Sequence, residues 1–83
     1  MNFTVYHNEA RLGEVKNISM EQVGETRMKI CGTWEGFFSW PSGQDMPQPL
    51  KLETETLTIK SATAMVLEKK TINPIVEFEG SLL

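Results

Sequence analysis

Between Thr26 and Trp34 the chain alternates strictly: Met28, Ile30, Gly32 and Trp34 fall on one parity, Arg27, Lys29 and Thr33 on the other. A period of two is the signature of a pleated strand with one buried face, whereas helical faces repeat every three to four residues. This segment is therefore expected to be a central strand. Phe3 to His7 repeats the pattern, with Phe3 and Val5 on one side and Thr4 and Tyr6 on the other. So does Ile75 to Gly80, where Glu77 and Glu79 face away from Val76 and Phe78. Composition agrees: eight Thr, five Val, five Ile and seven aromatics outweigh three Ala and seven Leu, the balance that packs on a pleated surface.

The remaining segments read less cleanly. A turn is expected over His7 to Arg11, then a strand from about Leu12 to Ile18. Because Leu12 and Val15 have opposite parity, a bulge is expected near Gly13. Ser19-Met20-Glu21-Gln22 fits a capping box, and Gly24 would end the single helical turn it starts; a plain loop fits equally. Leu50 to Ile59 returns to strand character, but its apolar parity switches from Leu50 and Leu52 to Leu57 and Ile59, which calls for a bulge or a tight turn near Glu53 to Thr56. Ser61 to Lys70 supports two readings. Ala62, Met65, Val66 and Lys69 would line one face of a helix, while Met65 and Leu67 alternate with Ala64 and Val66 as in a strand. Asn73-Pro74 marks a turn. No internal repeat is visible.

Eighty-three residues suffice for one modest core, so the chain is expected to be a single domain over 1–83. The fold class is expected to be mostly β, a small barrel or sandwich of about five to seven short antiparallel strands, with room for one short helix. No apolar run is long enough to span a bilayer as a helix, and MNFTVYHNEARLG lacks the order of a secretory signal, so neither a membrane role nor export is expected and the default compartment is the cytoplasm.

Most chemistry is short of residues. One cysteine, Cys31, precludes an internal disulfide, and with His7 as the only histidine a structural zinc site lacks ligands. A Ser-His-Asp triad would need His7 together with Asp45, the only Asp, and the one thiol-imidazole option is Cys31 with His7. No calcium loop and no glycine-rich phosphate loop occurs, and no cofactor or metal is expected. Only two Arg and a net charge of -3 argue against nucleic acid as the main partner, although Lys60, Lys69 and Lys70 could line one edge. Glu53 with Glu55, and Glu77 with Glu79, would crowd four carboxylates together if their strands were neighbours.

What stands out is the run Trp34-Glu35-Gly36-Phe37-Phe38-Ser39-Trp40, followed by a Pro-rich loop over Pro41 to Pro49. Trp34, Phe38 and Trp40 share one parity and Phe37 the other, so burying all four requires packing on both sides of a sheet. The expectation is a non-enzymatic interaction or assembly module that docks on a protein partner, or on copies of itself, through Trp34, Phe37, Phe38, Trp40, Met46 and Pro47. The alternative is a small ligand-binding barrel that stacks single-stranded nucleic acid or a glycan on Trp40 and Phe37.

Overall fold

The computed structural model describes residues 2–36, 48–69 and 72–83. These form a closed antiparallel barrel with no helix among the described residues. In chain order the strands are β1 (Phe3–His7), β2 (Ala10–Gln22), β3 (Arg27–Gly36), β4 (Leu50–Glu53), β5 (Thr58–Glu68) and β6 (Ile75–Ser81). Around the barrel they run β1-β2-β3-β6-β5-β4, with β4 closing on β1.

This order is two three-stranded meanders, β1-β2-β3 and β4-β5-β6, joined antiparallel at β3–β6 and at β1–β4. Each meander has a short first strand, a long kinked second strand and a third strand that pairs with its counterpart in the other meander. The kinks correspond. On β2 the register shifts between Lys16 and Ser19, with Asn17 at φ 54°; on β5 it shifts between Lys60 and Thr63, with Ser61 at φ 53°. A glycine faces each kink, Gly32 on β3 and Gly80 on β6. The structural repeat is thus present although the sequence shows none.

The alternation read from the sequence sets the core. Phe3, Val5, Leu12, Val15, Ile30, Trp34, Leu50, Leu52, Ile59, Ala62, Val76 and Phe78 fill the interior, and among the described residues no polar or charged one is buried with them. The rings of Trp34 and Phe78 meet at a centroid distance of 6.3 Å, tilted by 46°. Trp34 is accommodated because Gly13 and Gly36 pair across β2 and β3 beneath its six-membered ring; a Cβ at Gly36 would come within 2.6 Å of the indole Cζ2.

Four local readings resolve. Ser19 to Gln22 is neither helix nor loop: β2 continues through Gln22, and the turn comes at 23–26, where the Val23 amide donates to the Arg27 carbonyl at 3.1 Å. Pairing with β3 outweighs a local capping signal. The parity switch after Leu52 is a tight turn, in which the Thr54 hydroxyl accepts the Leu57 amide at 3.0 Å. Ser61 to Glu68 belongs to β5, so the strand reading holds there. Near Gly13 the expected bulge falls at Leu12, since Val5 faces Gly13 while Tyr6 faces Arg11.

Candidate interaction surface

The barrel has two ends. Gly36, at the end of β3, lies opposite Gly13; the Trp34 amide donates to the Pro74 carbonyl at 2.9 Å; and Glu68 at the end of β5 faces Ile75. His7 Nδ1 lies 3.1 Å from the Pro49 carbonyl oxygen, tying the end of β1 to the start of β4. The 8–9 turn, the exit at Gly36, the entry at Gln48 and the β5–β6 connection therefore share one end, called here the upper end. The 23–26 and 54–57 turns and residues 2 and 82–83 lie at the other.

At the upper end β5 carries apolar side chains on its outer face. Met65 is 54% exposed and Leu67 48%, and Ile72 in the following connection is 74% exposed. Sequence reading missed these three as surface residues. The available signal was that Met65 and Leu67 share a parity opposite to Ala64 and Val66, so a strand reading places apolar groups on both faces.

Trp34, grouped with the interface residues on sequence grounds, is corrected by the structure. It is only 2% exposed and points into the core, because β3 runs on to Gly36 and keeps Trp34 on the same inward parity as Ile30. Phe37, Phe38, Trp40, Met46 and Pro47 lie outside the described residues, as do Asp45 and Lys70.

The outer face is laced with ion pairs: Arg11–Glu14 at 3.7 Å, Lys16–Glu35 at 3.0 Å, Arg27–Glu79 at 3.2 Å, Lys29–Glu77 at 3.6 Å and Lys51–Glu53 at 3.9 Å. The crowding of four carboxylates does not occur. β5 separates β4 from β6, and Glu77 and Glu79 are matched by cations of β3. Glu55 sits in the 54–57 turn, on an open polar cleft of about 560 Å³ lined also by Asn2, Thr4, Glu53, Thr54 and Thr56. Among the described residues, Lys60 and Lys69 are the basic side chains outside these ion pairs, and both flank the apolar part of β5.

Cys31 and His7 are not brought together. Cys31 is part-buried on β3 between Ser19 of β2 and Glu77 of β6, while β2 lies between it and β1, where His7 is engaged with Pro49. No group of three or more His, Cys, Asp or Glu able to hold a metal ion occurs among the described residues. Comparison of the chain with protein-family models, with curated proteins and with solved structures finds no match.

Proposed function

We propose that the protein is a non-enzymatic interaction or assembly module that docks through the upper end of its barrel. The observation that carries this reading is the exposure of Met65, Leu67 and Ile72 at that end. Exposed apolar side chains are common singly, but three on one strand and its adjoining connection form a contact surface of the kind that partners cover. Between Gly36 and Gln48 the sequence also carries Phe37, Phe38, Trp40, Met46 and Pro47. Aromatic side chains are the residue type that most often anchors such contacts.

The test is association measured by light scattering over a range of concentrations, and by cross-linking to partners, for Met65→Ser/Leu67→Ser and for Trp40→Ala/Met46→Ala. Both variants should stay folded by circular dichroism and lose association. Association unchanged in both would remove this end of the barrel as the docking surface.

A second reading, stacking of single-stranded nucleic acid, draws on Lys60 and Lys69 lying outside the ion pairs. It predicts salt-dependent quenching of Trp fluorescence by short oligonucleotides, and a flat titration at low salt eliminates it.

A further inference from the structure

Beyond its kink, β2 runs on past the start of β1. The two strands first pair at Phe3 and Val15, so from Ser19 to Gln22 β2 pairs with β3 alone among the described residues. This stretch lies at the lower end of the barrel, opposite the end that carries Gly36 and Gln48. Ser19, Met20, Glu21 and Gln22 are all exposed, and open space adjoins them: a cleft of about 380 Å³ lined by Asn2, Asn17, Ile18 and Met20. Asn2 also lines the polar cleft that reaches Glu53 and Glu55, so the two clefts adjoin.

The ladder determines which main-chain groups this edge offers. In an antiparallel pair, hydrogen-bonded and non-bonded residue pairs alternate, and residues of non-bonded pairs aim their N–H and C=O groups away from the partner strand. The Val23 amide donates to the Arg27 carbonyl, and alternate steps back along the ladder come to Glu21–Lys29 and Ser19–Cys31. Met20 and Gln22, at the steps between, therefore direct their backbone groups outward from β2. These are the groups to which an added strand bonds.

The side chains of the edge define what that strand must carry. Residues paired across a ladder share a face, so Met20, opposite buried Ile30, lies on the inward side, where half-buried Ile18 packs against the core. Ser19 and Glu21, opposite Cys31 and Lys29, lie on the outer side. The inward side of the edge is thus apolar and the outer side acidic. Neighbouring cations are already engaged elsewhere: Lys29 with Glu77 at 3.6 Å, Arg27 with Glu79 at 3.2 Å and Lys16 with Glu35 at 3.0 Å. Glu21 and Glu25 enter no ion pair among the described residues, and neither does Glu55 beyond Asn2.

We propose that the β2 edge from Ser19 to Gln22 takes up an extended segment of a partner protein in which apolar and basic side chains alternate. The main chain of that segment bonds to Met20 and Gln22, an apolar residue opposite Met20 covers it together with Ile18, and basic residues at the alternate positions face Glu21 and Glu25. The β2 edge of a second copy does not fit the same slot, because it would set these carboxylates against their own kind. The surface is separate from the upper end of the barrel, and the proposal does not depend on docking there.

The probe is a short labelled peptide alternating lysine and valine, compared with a peptide of the same composition in two blocks and with one alternating glutamate and valine. Fluorescence anisotropy should show binding of the alternating lysine peptide, weaker as salt is raised, and none of the other two. Amide hydrogen exchange followed by NMR should slow at Met20 and Gln22 when the peptide binds. Glu21 and Glu25 are exposed, so Glu21→Lys/Glu25→Lys should keep the wild-type circular dichroism, bind the lysine peptide about tenfold more weakly and gain binding of the glutamate peptide. Met65→Ser/Leu67→Ser, altered at the other end, should bind the lysine peptide like wild type. No binding of the alternating lysine peptide, equal binding of the block peptide, unchanged exchange at Met20 and Gln22, or binding lost in Met65→Ser/Leu67→Ser would each overturn the proposal.

Discussion

Gly13→Ala puts the close packing of β2 on β3 to a quantitative test. A Cβ at this position would stand 2.5 Å from the Gly36 Cα and 2.6 Å from the Glu35 carbonyl oxygen, against ordinary contacts of 3.4–4 Å. Both atoms are backbone of the partner strand, so no rotamer change relieves the clash; β2 and β3 must part by the better part of an ångström. Overpacking typically costs about 1–3 kcal/mol, and with main chain on both sides the upper part of that range, about 2–3 kcal/mol, is expected. A domain of this length has a total stability on the order of 4–12 kcal/mol, so the loss is a large share of it. With a urea dependence of about 1 kcal/mol per molar, the unfolding midpoint should fall by roughly 2 M or more. Gly24→Ala is the control. Its nearest new contact would be the Arg27 Cβ at 3.7 Å, and its midpoint should move by less than about 0.5 M. Because the closest atoms to the new methyl are backbone and not indole, adding Trp34→Phe should not rescue Gly13→Ala. A Gly13→Ala protein within about 0.5 kcal/mol of wild type, or one rescued by Trp34→Phe, would refute the close approach of these two strands.

Phe78→Ala removes a fully buried ring that packs on Trp34, and should cost about 3–5 kcal/mol in equilibrium denaturation, enough to leave the chain largely unfolded if its stability is at the low end. Thr54→Ala deletes the hydroxyl that accepts the Thr56 and Leu57 amides and should lower stability by about 1 kcal/mol in the same assay. Ser61 holds φ 53°, while the other described non-glycine residues at positive φ are Asn8, Asn17 and Asn73. Since Asn tolerates the left-handed region better than most residues, Ser61→Asn should raise stability by up to about 1 kcal/mol, and a loss would contradict the strain assigned to that kink.

The parts of the fold legible in the sequence are those where one side of a strand is buried and the other wet. Ile30, Gly32 and Trp34 against Lys29 and Thr33 reveal β3, and Val76 and Phe78 against Glu77 and Glu79 reveal β6. The kinked strands were harder for a physical reason: a bulge changes which parity points inward. On β5 the inward set runs Ile59, then Ala62, Ala64 and Val66, and the break at Ser61 turns a period of two into spacings that also suit a helix. Exposed Met65 and Leu67 blur it further. On β2 the inserted pair Asn17 and Ile18 likewise hides the continuation of the strand, so Ser19 to Gln22 presents only its local hydrogen-bonding preference. The candidate surface was legible in part. Concentration of aromatics drew attention to Trp34 to Trp40, but composition does not reveal where a strand ends, and β3 extends far enough to take Trp34 into the core. The exposed apolar groups of β5 become visible once the barrel is closed, because closure decides which of two apolar faces goes inside.

The two-meander layout has a kinetic consequence. Within each meander every pairing is between neighbours in the chain, across turns as short as the 8–9 and 54–57 connections, so each can organise by local zipping. The β3–β6 and β1–β4 seams instead join residues such as Ile30 with Phe78 and Val5 with Leu52, and must wait for loop closure across the middle of the chain. Folding should therefore be limited by a single docking of two preformed halves, in which both seams form together and the core becomes dry in one step. Substitutions at the seams should slow folding, while those at the outer hairpins should chiefly speed unfolding.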